Sequence, residues 1–283
     1  MAPSRGLGLA ALVALVAGTL AACGGEEIET TPLPEGVVMH IDQSRVERKG
    51  REVFLRVENN TRRTITVEAF RLTSPRFDDV SWTGSEDIGA TYETDLEFDL
   101  PRGRCGTAID AEVTLTYRIG DGELQKSTGT ADDTYGSAAL FADRDCAETT
   151  LTRAADLSVG APQVTGVGRD SVLRLPVTMT PTGATDDVSF TGFGSTPLFR
   201  QHEDSPVGVD VPLGADDPPA ELVMSVVPAR CDPHALAEDK VGTLFGVGVD
   251  APGLEEDTTF FLPLTKAQRS AFLAFFRSNC GLS

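Results

Sequence analysis

The stretch DLEFDLPRGRC, residues 95–105, alternates acidic and apolar side chains, breaks at a proline and then reaches a cysteine. Leu96, Phe98 and Leu100 share one face of an extended chain, the period-2 mark of a half-buried strand. LVMSVVPARC, residues 222–231, follows the same plan, with Leu222, Met224 and Val226 on one face before Pro, Arg and Cys.

Working outward, the two stretches belong to a repeat. GREVFLRV (50–57) matches GRDSVLRL (168–175), and FDDVSWTG (77–84) matches TDDVSFTG (185–192). Each copy ends in an apolar run and a cysteine, SAALFADRDC (137–146) and AFLAFFRSNC (271–280). Four matches in one order mark two copies of a unit, 37–146 and 155–283, each of ordinary domain size, with AETTLTRA (147–154) as the linker. Setting Cys23 aside, four cysteines remain, and pairing within copies gives Cys105–Cys146 and Cys231–Cys280.

EVTLTYRI places Val113, Leu115, Tyr117 and Ile119 on one face, and TLFGVGVD does the same with Phe245, Val247 and Val249. GDGE (120–123) reads as a hairpin turn, because Asp-Gly tolerates positive φ. About seven short strands per copy, separated by Gly, Pro and Asp, predict an all-β chain of two tandem antiparallel sandwiches. Each copy resembles an immunoglobulin-like domain, without the Cys…Trp…Cys arrangement of that family. TKAQRSAFLAFFRSNCG predicts a C-terminal helix with a Thr265/Gln268 capping box, and each copy is expected to carry such a helix pinned by its disulfide.

The N-terminus sets the compartment. Residues 1–22 hold one Arg and then an uncharged Ala/Leu/Val/Gly run, as in a signal peptide. Leu20, Ala21, Ala22 and Cys23 resemble the bacterial lipobox, which implies lipidation of Cys23 by palmitate-type chains and a lipoprotein held on the outer face of the cell membrane. Residues 23–36 read as the lipidated Cys and a flexible tether. Loss of residues 1–22 removes Arg5 and leaves 23 bases against 43 acids, a net −20. Such a charge opposes nucleic acid and, apart from the lipid anchor itself, anionic lipid as partners. Arg outnumbers Lys 20 to 4, which suggests a GC-rich, actinobacterial genome. VVPARCDPHALAEDKVGTLFGVGVD (226–250) resembles a stretch of actinobacterial exported proteins, a resemblance of compartment without an activity attached.

Features confined to one copy are the better site candidates. RCDPHALAEDK (230–240) has no counterpart in the first copy; His234, Glu238 and Lys240 form a candidate contact surface on a turn of helix capped by Asp232. His202, in the long segment FGSTPLFRQHEDSP (193–206), is a further candidate, since that segment and 210–221 carry a net insertion in the second copy. Trp82 aligns with Phe190 and is either a core aromatic or a recognition aromatic. Asp78, Asp79, Asp186 and Asp187 lack the calcium-loop spacing and are ordinary turn chemistry. His40 falls in a first strand, VVMHID. G-x-S-x-G, H-E-x-x-H and C-x-x-C are absent from the sequence, so no metal, cofactor or catalytic residue is expected. The expected function is binding of a protein or cell-envelope component near the membrane; a hydrolase or metal-binding protein and a structural spacer are the alternatives.

Overall fold

The computed structural model describes residues 28–44, 50–106, 108–237 and 241–282. The first copy contains β1 (Thr30–Pro32), β2 (Val37–Asp42), β3 (Glu52–Asn59), β4 (Ile65–Ser74), β5 (Phe77–Ile88), β6 (Tyr92–Asp99), β7 (Glu112–Ile119) and β8 (Gln125–Thr130). They form one sheet of order β1-β8-β7-β4-β5 and another of order β2-β3-β6. In immunoglobulin lettering, β2 to β8 are A, B, C, C′, E, F and G, so the sheets are ABE and C′CFG. Alternation explains the packing: Val113, Leu115 and Tyr117 of β7 and Leu96 and Phe98 of β6 all point into one core.

The second copy contains β9 (Ala155–Val159), β10 (Gln163–Thr165), β11 (Val172–Pro181), β12 (Ser189–Phe193), β13 (Phe199–Gln201), β14 (Val207–Pro212), β15 (Ala220–Pro228), β16 (Gly246–Asp250) and β17 (Thr259–Phe261). One sheet runs β10-β11-β15-β13, with β9 also on β11, and the other runs β14-β12-β16-β17. Three helices complete the chain: α1 (Ser137–Ala154), α2 (Pro233–Ala237) and α3 (Lys266–Cys280). Both copies are thus antiparallel sandwiches with a C-terminal helix, and disulfides join Cys105 to Cys146 and Cys231 to Cys280. Closing chain loops of 41 and 49 residues contributes roughly 4 kcal/mol each in the chain-entropy account. The capping box of α3 is formed, Thr265 Oγ1 accepting from Gln268 N at 3.2 Å and Gln268 Oε1 from Thr265 N at 2.7 Å.

Several sequence expectations need correction. The segment 147–154 is no separate linker; it is the second half of α1, which runs straight into β9. Ala138, Phe141 and Ala142 of α1 pack into the first core, whereas Ala147, Leu151 and Ala154 pack into the second. At about 100° per residue these two sets lie on opposite faces of the helix, so no single apolar stripe announces it. The first copy's loop after β6 lies so close to α1 that a Cβ on Gly103 would sit 2.4 Å from Ala142 Cα.

The segment 23–36 is not wholly a free tether. Thr30–Pro32 pair in parallel with Lys126–Thr128, and Thr31 Oγ1 lies 2.9 Å from the buried Ser127 Oγ, itself 3.1 Å from Tyr117 Oη. Residues 23–27 lie outside the described residues.

The two DDVS motifs are not structurally equivalent. The first lies in β5, the C′ edge strand, and the second leads into β12, the central C strand. The true counterpart of β12 is β4, since both carry a bulge against two neighbours, at Val67/Ala69 and Phe190/Gly192. Gly192 holds a φ of +136° there, and a Cβ would meet Gly208 N at 2.9 Å. With that register lost, the insertion is better described by topology: after β12 the chain crosses to the other sheet as β13, then returns as β14.

The segment 193–206 is therefore more than a loop. Leu198 and Phe199 are fully buried, and Phe199 sits 5.6 to 6.4 Å from Phe245, Phe272, Phe275 and Phe276. Phe199→Ala is expected to cost about 3–5 kcal/mol, read as a lowered urea midpoint, whereas a surface-loop residue costs within about 0.5 kcal/mol.

Candidate functional site

The sequence candidates fall in different places. Trp82 is half-buried on β5, stacked on Phe70 opposite it at 5.9 Å with ring planes 7° apart, and packs against the first core. It covers the edge of the sandwich with part of its ring still open to solvent. Asp78 and Asp79 are engaged by Arg104 and Arg71, and Asp186 Oδ1 accepts from Ala215 N at 3.0 Å. Among the described residues, no group of three or more His, Cys, Asp or Glu is arranged to hold a metal ion.

His202 follows β13, its Nδ1 2.6 Å from Asp204 Oδ1, and Asp204 Oδ2 receives Arg174 Nη2 at 2.5 Å. Desolvation pushes the Asp204 carboxyl upward, but hydrogen bonds and charges from His202 and Arg174 outweigh it and hold the group below its ordinary value. His234 is exposed on α2, and Asp232 Oδ1 accepts its backbone N–H at 2.9 Å, which is the capping expected of that Asp. Glu238 and Lys240 lie outside the described residues, as does Cys23. His40 Nε2 is 3.3 Å from Glu58, and its Nδ1 3.4 Å from Thr134 Oγ1. Among the described residues no hydrogen bond joins His40, His202 and His234, so the structure does not assemble them into one centre.

A site that sequence reasoning did not find lies between the sandwiches: a cleft of about 630 Å³. Its first wall is the end of β2 and the middle of β3, giving Asp42, Gln43 and Arg56. Its floor is α1 and the residues before it, Tyr135, Ser137, Leu140 and Arg144. The second wall comes from the second sandwich, with Ser195, Thr196 and Pro197 on one side and Val241, Leu244 and Phe261 on the other. Two segments that set the second copy apart from the first therefore converge here: the start of 193–206 and the residues just after 230–240.

The lining is pre-organised. Asp42 Oδ1 accepts from Ser137 Oγ at 2.8 Å and from Gln43 N at 2.7 Å. Arg56 forms a fork on Asp95 at 2.7 and 2.9 Å and lies 5.2 Å over the Phe54 ring. The hydrogen bond to Asp95, opposed by burial and helped by the charges of Asp95, Glu93 and Asp42, raises the pKa of that guanidinium. Arg144 sits 4.2 Å from the Phe261 ring centroid, a cation–π contact that ties the floor to the second wall. Thr196 Oγ1 donates to Gly242 O at 2.8 Å, joining the two second-copy segments. Tyr135 is 79 % exposed and Leu140 47 %, so an aromatic ring and an aliphatic side chain stand open at the mouth.

No family model and no curated protein matches the chain. Solved structures similar to it include a red sea bream transglutaminase, at 13 % identity and TM-score 0.26, covering 81 % of this chain and 31 % of that one. The BSP domain of a biofilm associated protein gives 10 % identity and TM-score 0.25, with coverage of 83 % and 60 %. The CBD12 unit of CALX1.2 gives 11 % identity and TM-score 0.22, with coverage of 78 % and 83 %. The chain thus spans less than two thirds of the first two, and TM-scores this low carry no argument about activity.

Asp204 supplies a pH test. Its folded pKa is depressed, so its contribution is present above the ordinary carboxylate pKa and lost as pH falls through the folded value. Asp204→Asn is expected to destabilise the protein at pH 7 and to have little effect at pH 2, in thermal melts compared across that range.

Proposed function

We propose that this chain is a bacterial lipoprotein, anchored through lipid on Cys23 to the extracytoplasmic face of the membrane, which binds a component of the cell envelope in the cleft between its two sandwiches. The observation that carries the binding reading is the convergence just described. Ser195, Thr196 and Pro197 from the segment 193–206 and Val241 and Leu244, just after 230–240, meet at one mouth, facing Asp42 and Arg56 of the first copy. Segments added to a shared fold are where binding specificity is placed.

The geometry also favours a mode of recognition. An extended peptide most readily adds to a free sheet edge. Beside the cleft the edge of β2 is occupied, Ile41 N donating to Asp132 O at 2.9 Å and Asp132 N to Met39 O at 3.1 Å. The edge strand of the other sandwich, β17, has α1 packed along it. Recognition then falls to side chains: carboxylate, carboxamide, guanidinium and hydroxyl on one side, Pro197, Val241, Leu244 and Phe261 on the other. A saccharide segment of an envelope polymer, with hydroxyl edges and an apolar ring face for Tyr135, suits that division.

Two measurements test the reading. Cys23→Ser is expected to move the protein from the membrane fraction to the soluble fraction, and the mass of the parent's N-terminal peptide is expected to include acyl chains. For the cleft, retention on purified envelope polysaccharide is compared between the parent and Tyr135→Ser/Leu140→Ser, both exposed positions that leave the melt nearly unchanged. A loss of roughly tenfold or more in affinity, about 1.4 kcal/mol, supports the site. Equal retention, or no retention by either, favours a protein partner or a spacer.

A further inference from the structure

We infer that the end of the first sandwich opposite the cleft rests on the phospholipid surface, so that the protein stands upright with the cleft facing away from the membrane. The inference rests on the anchor proposed above and adds a pose and a contact surface to it. The direction of the strands carries it. β1 runs parallel to β8, with Thr30 beside Lys126 near the start of that strand. The start of β8 lies at the same end of the sandwich as the pairs Ile65–Ile119 and Ile65–Ile88, and as the pairs of Asn59 with Val37 and Tyr92. The chain therefore enters the fold at the end built from the turns 60–64, 89–91 and 119–124. Asp42, at the far end of β2, lines the cleft. Seven steps of chain separate Cys23 from Thr30, a reach of at most about 25 Å, whereas the sandwich is about 30 Å tall. That tether is too short to let the far end take the near end's place against the bilayer.

The near end is also chemically unlike the rest of the first sandwich. Between Arg51 and Arg118 every other described arginine is ion-paired with an Asp or Glu, but Arg62 and Arg63 are not. Both are exposed, side by side in the turn 60–64. Tyr92, 71 % exposed, stands next to them in chain pairing, opposite Asn59. Ile28, two residues before β1, and Val38, near the start of β2, are exposed apolar side chains on the two sheets at this end. An aromatic ring with flanking arginines is what an interface of headgroups and acyl chains accepts. Glu35, Glu86, Asp87, Asp121 and Glu123 stand at the same end and outnumber Arg62, Arg63 and Lys126, so its net charge is negative. It therefore does not recruit the protein alone; the lipid does so, and this end fixes the pose.

The platform is rigid enough to transmit a pose. Buried Asn59 donates through Nδ2 to Arg63 O at 2.8 Å, Ile88 O at 2.8 Å and Gly89 O at 3.1 Å. Arg63 Nη2 donates to Ile119 O at 2.9 Å, so the three turns move as one.

The test couples the chain from Cys23 onward through the thiol of that residue, the one cysteine of five outside the disulfides, to a maleimide lipid in phosphatidylglycerol–phosphatidylethanolamine vesicles. Hydrogen exchange is then compared with uncoupled chain. Exchange in 60–64 and 89–92 is expected to slow roughly fivefold or more, with the turn 182–187, beside the C-terminal end of α1, unchanged. In Arg62→Glu/Tyr92→Ser, coupled equally, the protection is expected to be lost. Uniform exchange, or protection at 182–187 instead, overturns the pose. Because the chemical coupling supplies the anchor, such a failure counts against the pose alone, while the Cys23→Ser fractionation judges lipidation.

Discussion

The structure depends on one helix having two masters. Ala138, Phe141 and Ala142 commit the first half of α1 to the first core, and Ala147, Leu151 and Ala154 commit the second half, half a turn round, to the second. The Cys105–Cys146 bond fixes the midpoint, next to the place where the allegiance changes. Arg51 to Asp145 at 2.8 Å and the nearly fully buried Arg76 to Asp143 at 2.8 Å hold the same stretch against the first copy. A helix clamped along its length cannot act as a hinge, because bending it would open one core or the other. The sandwiches are therefore held at a fixed spacing, and the cleft between them is a consequence of that spacing.

Much of the fold was legible because it rests on short-range rules. Alternation in 95–100 and 113–119 reported strand faces, Thr265 and Gln268 reported a helix start, and the shared positions of four cysteines reported the pairing of loop and helix. What escaped were features set by tertiary context. The second half of α1 reads as a polar linker, AETTLTRA, since only Ala147, Leu151 and Ala154 are apolar and they face away from the first half's stripe. Leu198 and Phe199 look like loop residues among Ser, Thr, Pro and Gln, yet a three-residue strand that changes sheets makes them the centre of an aromatic cluster. The DDVS match misled for a different reason: the same four residues lie inside an edge strand in one copy and lead into a central strand in the other.

The candidate site was half legible. The segments 193–206 and 230–240 were identifiable by comparison with the first copy, but nothing in their spacing says that the start of one meets the residues just after the other. Their other wall, Asp42, Gln43 and Arg56, lies at least 139 residues away in sequence and offers no motif of its own. The histidines, chemically the most suggestive residues in the list, were placed apart. A site made of ordinary polar and apolar side chains on two walls is visible only once the walls stand opposite each other.

The short parallel pairing of β1 with β8 has a mechanical meaning. A pull between the N-terminal end of the chain and the cleft runs along the strands, and the β1–β8 hydrogen bonds lie across that line. Such a load shears Thr30–Pro32 along Lys126–Thr128, so the ladder bonds and the Thr31–Ser127 contact resist together and do not unzip one at a time. Three residues at the entry of the chain into the fold thus take up such tension before it reaches either core.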